Sequence, residues 1–307
     1  MKSLIIDLKN QCVFYPDDID RIKNLLYCKF HIYAILLSHK YYLNRTEIKQ
    51  TKDGIFLPVF SPTNTNSFVI PFQVQKGIDH RKLTIDVQYP GEKFTVNIED
   101  DEWKSNNPDK ECCLVYNVTK IVDKWLFKTC SEIEYKIAYI GQSYGTDGSR
   151  IAVDRLLSHS TLQKVLSNCQ SSSSEYSVRI LMMDFEQDYN IDFVQYGSFN
   201  ALVSTQPQLS ENQIINIAEA TLIHFFKPEY NKDFVSTFPS EKHTSYREIY
   251  DKGYTEVTLD LSYLYEAYPF PFLELYTDHN RISKEKYIIR YKMRRCDSVL
   301  TSIPFDN

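Results

Sequence analysis

Glycine is scarce here: the chain has eight in 307 residues, yet three of them, Gly141, Gly145 and Gly148, fall within eight positions. No G-K-[ST] follows that cluster, which excludes a P-loop. The seven cysteines are scattered and form no C-x-x-C pair, so neither a zinc ribbon nor a disulfide framework is expected. No apolar run approaches the roughly 20 residues that a membrane-spanning helix needs. The opening "MKSLIIDLKNQ" is broken by Asp7, unlike a signal peptide. Together these absences predict a reduced, cytoplasmic chain without membrane contact. Excess positive charge is missing too: 35 Lys+Arg stand against 40 Asp+Glu, a net charge of −5. Residues 111–240 hold ten basic and fifteen acidic side chains. That balance argues against non-specific nucleic-acid binding. A phosphate contact must be local or depend on a bound cation.

What is abundant is aromatic. The 23 tyrosines and 18 phenylalanines predict aromatic cores, with a base-stacking surface as the alternative. At 43% hydrophobic and 24% charged residues the composition is that of a globular protein, and the length suits about two domains.

Residues 1–110 read as a β-rich domain for target or partner recognition. "GIFLPVF", "SFVIPFQV", "KLTIDVQY" and "KFTVNIED" are apolar or alternating runs between turn residues, as strands are. "DDIDRIKNLLYCKFHIYAILLSHKYYL" has the apolar density of a buried helix. The polar stretch 100–111, carrying Pro108, is the expected boundary. From Cys112 the order becomes strand, strand, helix, strand, helix. The last helix, "LSENQIINIAEATLIHFF", opens on a capping box of Ser210 and Gln213 and stops at Pro228. The fold class expected is therefore α+β: residues 1–110 β-rich, 111–240 a small sheet with helices packed on it, and 241–307 a β-containing extension.

Glu219 is the most informative residue. At about 100° per residue it falls about 40° from Ile215 on the helical wheel, inside an apolar face with Leu222 and Phe226. A buried carboxylate must be paired, protonated or bound to a metal. An internal ion pair is the structural alternative. Arg155 and His159 stand four apart in "DRLLSH" and share a helical face. Guanidinium and imidazole can there clamp a phosphate and handle a proton. Arg150 can substitute for Arg155. "MDFEQDYNID" sets Asp184, Glu186 and Asp188 at alternate positions, which reads as a solvated strand end before a metal site.

"YIGQS" (139–143), "RLLSHSTLQ" (155–163) and "AEATLIHFFKPEYN" (218–231), in that order, resemble the successive motifs of the GIY-YIG nucleases over about residues 112–235. The resemblance implies a small antiparallel sheet flanked by helices, and a metal-dependent endonuclease that hydrolyses phosphodiester bonds in DNA, in restriction, phage defence, repair or mobile-element biology. It implies that Tyr139 orients or activates the attacking water, Arg155 holds the scissile phosphate, His159 assists proton transfer and Glu219 binds a single Mg²⁺ or Mn²⁺. Asn231 would fasten its segment to the sheet and, with Arg150 and Lys164, serve the substrate side. The first signature tyrosine is expected at Tyr116, in "LVYNV", with Tyr135 as the alternative. Gly141 would be the signature glycine, and Gly145 and Gly148 would serve an inserted loop. A catalytically silent module that binds nucleic acid, a protein partner or a second copy is the competing expectation.

Overall fold

The computed structural model describes residues 3–23, 29–62, 67–75, 78–129, 131–144, 152–156, 160–170, 175–188, 191–196, 199–204, 209–240, 243–266, 272–293 and 300–302. Helices and many strands are mixed, as an α+β class requires. The chain divides differently from the expected cuts near 110 and 240. One unit comprises residues 1–38, 132–171 and 178–307; the other comprises residues 39–131 with 172–177. The polar stretch 100–111 lies inside the second unit rather than between domains. Polarity there marks the short surface helix Asp101–Asn106, capped by Asp100, and surface helices are polar wherever they occur.

The first unit is built on a nine-stranded mixed sheet, larger than the small sheet expected. Its central strands in spatial order are Ile133–Gln142, Ile32–His39, Tyr176–Gln187 and Ser3–Phe14. The first two pair antiparallel, as do the last two. Glu256–Asp260 and Leu273–Tyr276 pair parallel to Ser3–Phe14 and Ile133–Gln142 respectively. Strands Ser3–Phe14 and Leu300–Ser302 thus lie in the same sheet, where separate N- and C-terminal domains were expected.

Ile32–His39 corrects the helix expected over that stretch. Among the described residues ahead of it, a short turn of α-helix forms at Ile19–Lys23. "IYAILLSH" lies in mid-sheet, and five of its first six residues, Ile32 to Leu36, are at most 1% exposed. A strand buried on both faces has no alternation, and its apolar run is then hard to tell from a helix.

Helices Ala152–Leu156 and Ser160–Gln170 cover one face of the central strands. Ala152, Leu156, Leu162 and Val165 pack there with Tyr33, Ile35, Ile180 and Met182. Each fully buried large apolar side chain contributes roughly 1.5–3 kcal/mol. The long helix Glu211–Phe226 is buried on nearly every side, against Ile133–Gln142, helix Thr244–Asp251 and strands Glu256–Asp260 and Ile288–Lys292. Its capping box forms, with Ser210 N donating to Gln213 Oε1 at 2.8 Å. Lys227 ends it in the left-handed conformation at φ 50°, as C-terminal caps often do.

The second unit is a connection between two neighbouring strands. Ile32–His39 and Ile133–Gln142 pair directly, and the intervening chain builds two small sheets of its own. One contains Ile55–Phe60 and Ser67–Phe72; the other contains Leu83–Gln88, Lys93–Ile98 and Cys113–Asn117. No helix among the described residues is long and apolar enough to cross a membrane.

Candidate active site

The site begins with a strand irregularity. Register between Ile133–Gln142 and Ile32–His39 shifts between Ile137 and Tyr139, an extra residue of the kind that re-aims side chains. Before it, Lys136 opposes Leu37; after it, Tyr139 opposes Ile35 and Gly141 opposes Tyr33. The shift puts Tyr139 and Gly141 on the face of Tyr33. It leaves Tyr135 on the other, fully buried, which removes Tyr135 as a partner for Tyr139.

The rings of Tyr33 and Tyr139 stand 6.1 Å apart at 39°. Gly141 makes this possible: a Cβ there would lie 2.7 Å from Tyr139 Cε1 and 2.8 Å from Tyr33 Oη. This glycine is required for close approach, not for a turn. Burial pushes both phenols above their ordinary pKa, and Arg155 pulls both back down.

Arg155, on the short helix Ala152–Leu156, donates from Nη1 to the carbonyl of Gln142. Its charge also reaches Glu219. Burial raises the Glu219 carboxyl to about 7, against the lowering effects of Arg155 and of hydrogen bonds from Gln142. Asp233 adds like charge and raises it further. Gln142 Nε2 donates to Asn216 Oδ1 at 2.7 Å, one turn before Glu219. Tyr246 donates to the Asn216 carbonyl at 3.2 Å, and its own phenol is raised by burial and by Glu219. Tyr33, Tyr139, Arg155, Gln142 and Glu219 therefore form one interacting cluster.

The segment after the long helix is tied back to the same strand. Asn231 Oδ1 accepts from Ile140 N at 2.9 Å, and Asn231 Nδ2 donates to Ile140 O at 2.8 Å. Tyr230 N donates to Ala138 O at 3.1 Å. Lys164 is exposed and sits over the Tyr230 ring at 5.3 Å.

Tyr116 does not join the cluster. It belongs to the unit of residues 39–131, on Cys113–Asn117, stacked on Phe94 at 5.4 Å and edge-on to Phe72 at 4.9 Å. Aromatic core packing explains it completely. Arg150 and His159, with Gly145 and Gly148, lie outside the described residues. His224 is structural: it hydrogen-bonds the Phe234 carbonyl at 2.9 Å and packs against Phe238 and Tyr291.

Tyr33, Gln142 and Asn216 were missed in the sequence. For Tyr33 the available signal was the β-branched pair Ile32 and Ile35 around it, which favours strand over helix. Among the described residues no group of three or more His, Cys, Asp or Glu is arranged to hold a metal. A Mg²⁺ ion needs less, since it keeps several waters and takes one or two carboxylates. Glu219, with Asp233 close enough to raise it, fits that requirement. Comparison with protein-family models, curated proteins and solved structures finds no match to this chain.

Proposed function

We propose that this protein is a metal-dependent endonuclease of the GIY-YIG kind that hydrolyses phosphodiester bonds in DNA. The observation that carries the reading is the cluster itself: two tyrosines on neighbouring strands, an arginine and a raised carboxylate in mutual electrostatic contact. Tyr33, in "HIYAI", takes the role the resemblance had assigned to Tyr116. The chain of residues 39–131 is then an insertion between the two signature strands, which explains their separation in sequence.

Arg155 holds the scissile phosphate and neutralises charge on it as the attacking oxygen arrives. Tyr33 and Tyr139, kept protonated by burial, orient water by hydrogen bonding and are poor at abstracting its proton. Proton transfer falls to His159 in this reading. Glu219 would hold a single Mg²⁺ or Mn²⁺, whose chemistry there would be electrostatic stabilisation of the developing negative charge. Gln142 orients the carboxylate that receives it. Asn231, bound to Ile140, keeps the strand end and its tyrosine in place.

The test is plasmid nicking by wild type and Glu219→Gln, each with Mg²⁺, Mn²⁺ or EDTA. Metal-dependent cutting lost in the variant is the expected result. Equal cutting by both proteins sinks the assignment, and no cutting by either favours a silent binding module.

A further inference from the structure

His31 stands immediately before the Ile32–His39 strand and is not used by the reaction described above. Its side chain is 3% exposed. Nδ1 lies 2.9 Å from the Ser143 carbonyl oxygen, which can only accept, so Nδ1 must carry a proton. Nε2 makes no hydrogen bond among the described residues and faces Glu211 Oε1 at 3.7 Å. Both ring nitrogens thus point at acceptors. A neutral imidazole has one N–H and satisfies one of them; the doubly protonated ring donates to both.

The neighbours strengthen this. Tyr144 packs its ring 5.0 Å from His31 and donates its hydroxyl to Glu211 Oε2 at 3.1 Å. The carboxylate is therefore held toward His31 although 54% exposed. Among the described residues, Lys29, Asp184 and Glu186 line a cavity of about 370 Å³ with Glu211. Glu211 is the first residue of the helix that carries Glu219. His31 lies two residues before Tyr33, and its Ser143 partner follows Gln142.

We propose that His31 is a positioning residue: its protonated ring latches the first turn of the Glu219 helix, through Glu211, to the strand ends that carry Tyr33 and Gln142. With a single N–H the ring reaches Ser143 alone, and the tie to Glu211 is lost. For its effect on cutting, the inference rests on the nuclease reading; for its effect on the helix it does not.

The experiment is amide hydrogen exchange on the full chain between pH 6 and 8, corrected for intrinsic rates, in wild type, Glu211→Gln and His31→Asn. Glu211 is exposed, so its variant folds; the asparagine can still donate to Ser143 but carries no charge. In wild type, protection at Ile214 and Ile215 is expected to fall about two- to fivefold as pH rises, the range for a partly exposed ion pair. Both variants should lack this part of the slope and keep only the fall that the Glu219 carboxyl imposes below pH 7. The same slope in wild type and Glu211→Gln overturns the latch, as does a flat wild type. Nicking at the same pH values separates the two readings. A kcat ratio of wild type to Glu211→Gln that falls with pH at unchanged KM supports the latch in catalysis. Protection that follows pH in a protein that cuts no DNA keeps the latch and sinks the nuclease. Wild-type protection no steeper in pH than that of Glu211→Gln, with normal cutting, does the reverse.

Discussion

Tyr33 and Tyr139 face each other across adjacent strands, ring centres 6.1 Å apart, although more than a hundred residues separate them in the chain. If this pair orients the attacking water, removing either hydroxyl should slow cutting without unfolding the protein. Tyr33→Phe and Tyr139→Phe are each expected to lower kcat about 10²-fold or more. Tyr116→Phe should leave it unchanged. Single-turnover nicking with the three variants checks this, and equal losses at Tyr33 and Tyr116 would contradict the placement.

The pair depends on the hydrogen at Gly141. Gly141→Ala drives a methyl to within 2.9 Å of both rings, and overpacking of this kind costs about 1–3 kcal/mol. Denaturant unfolding should show that loss, together with reduced cutting. The effect comes from crowding between side chains, so Gly141→Ala should cost less in a Tyr33→Ala background than in the wild-type chain.

Glu219 makes stability depend on pH in a predictable direction. Its carboxyl is raised in the folded protein from an ordinary 4.5 to about 7, so between those values the folded state binds more protons than the unfolded one. Stability must then fall as pH rises from about 4.5 to 7 and level off above. Glu219→Gln removes this contribution and should unfold at higher denaturant than wild type at pH 8, by an amount on the order of 1–3 kcal/mol. Metal-dependent cutting moves the other way, rising toward pH 7 as the carboxylate loses its proton. Denaturation midpoints and nicking rates from pH 5 to 8 test both slopes.

Asn231 holds two backbone groups of Ile140 at once. Asn231→Ala leaves a part-buried donor and acceptor without that partner, which costs about 1–3 kcal/mol. Because Ile140 follows Tyr139, activity should fall more steeply than stability predicts. Asn231→Asp, which keeps only the acceptor, should fall between wild type and alanine. A loss of stability with unchanged cutting would confine Asn231 to a structural role.

The comparison between sequence and structure divides along chain distance. Features set within one turn or one strand were readable: the Ser210–Gln213 cap, the helix that ends before Pro228, the strand ending in "YIG", and a carboxylate at Glu219 where an apolar side chain would be expected. Each depends on neighbours a few residues away, and their periodicity survives in one dimension. Tyr33 was not readable, because its strand is buried on both faces and carries no alternation. Nor were the roles of Gly141, which depends on two rings from two strands, and His31, which depends on a helix start 180 positions later. The division of the chain followed the same rule. Polarity at 100–111 looked like a boundary, but strand pairing between residues 32–39 and 133–142 makes everything between them a loop with a fold of its own. Local chemistry alone determined which elements this chain can form. Which of them meet was decided by long-range pairing and burial, whose free energy appears only once the sheet is assembled.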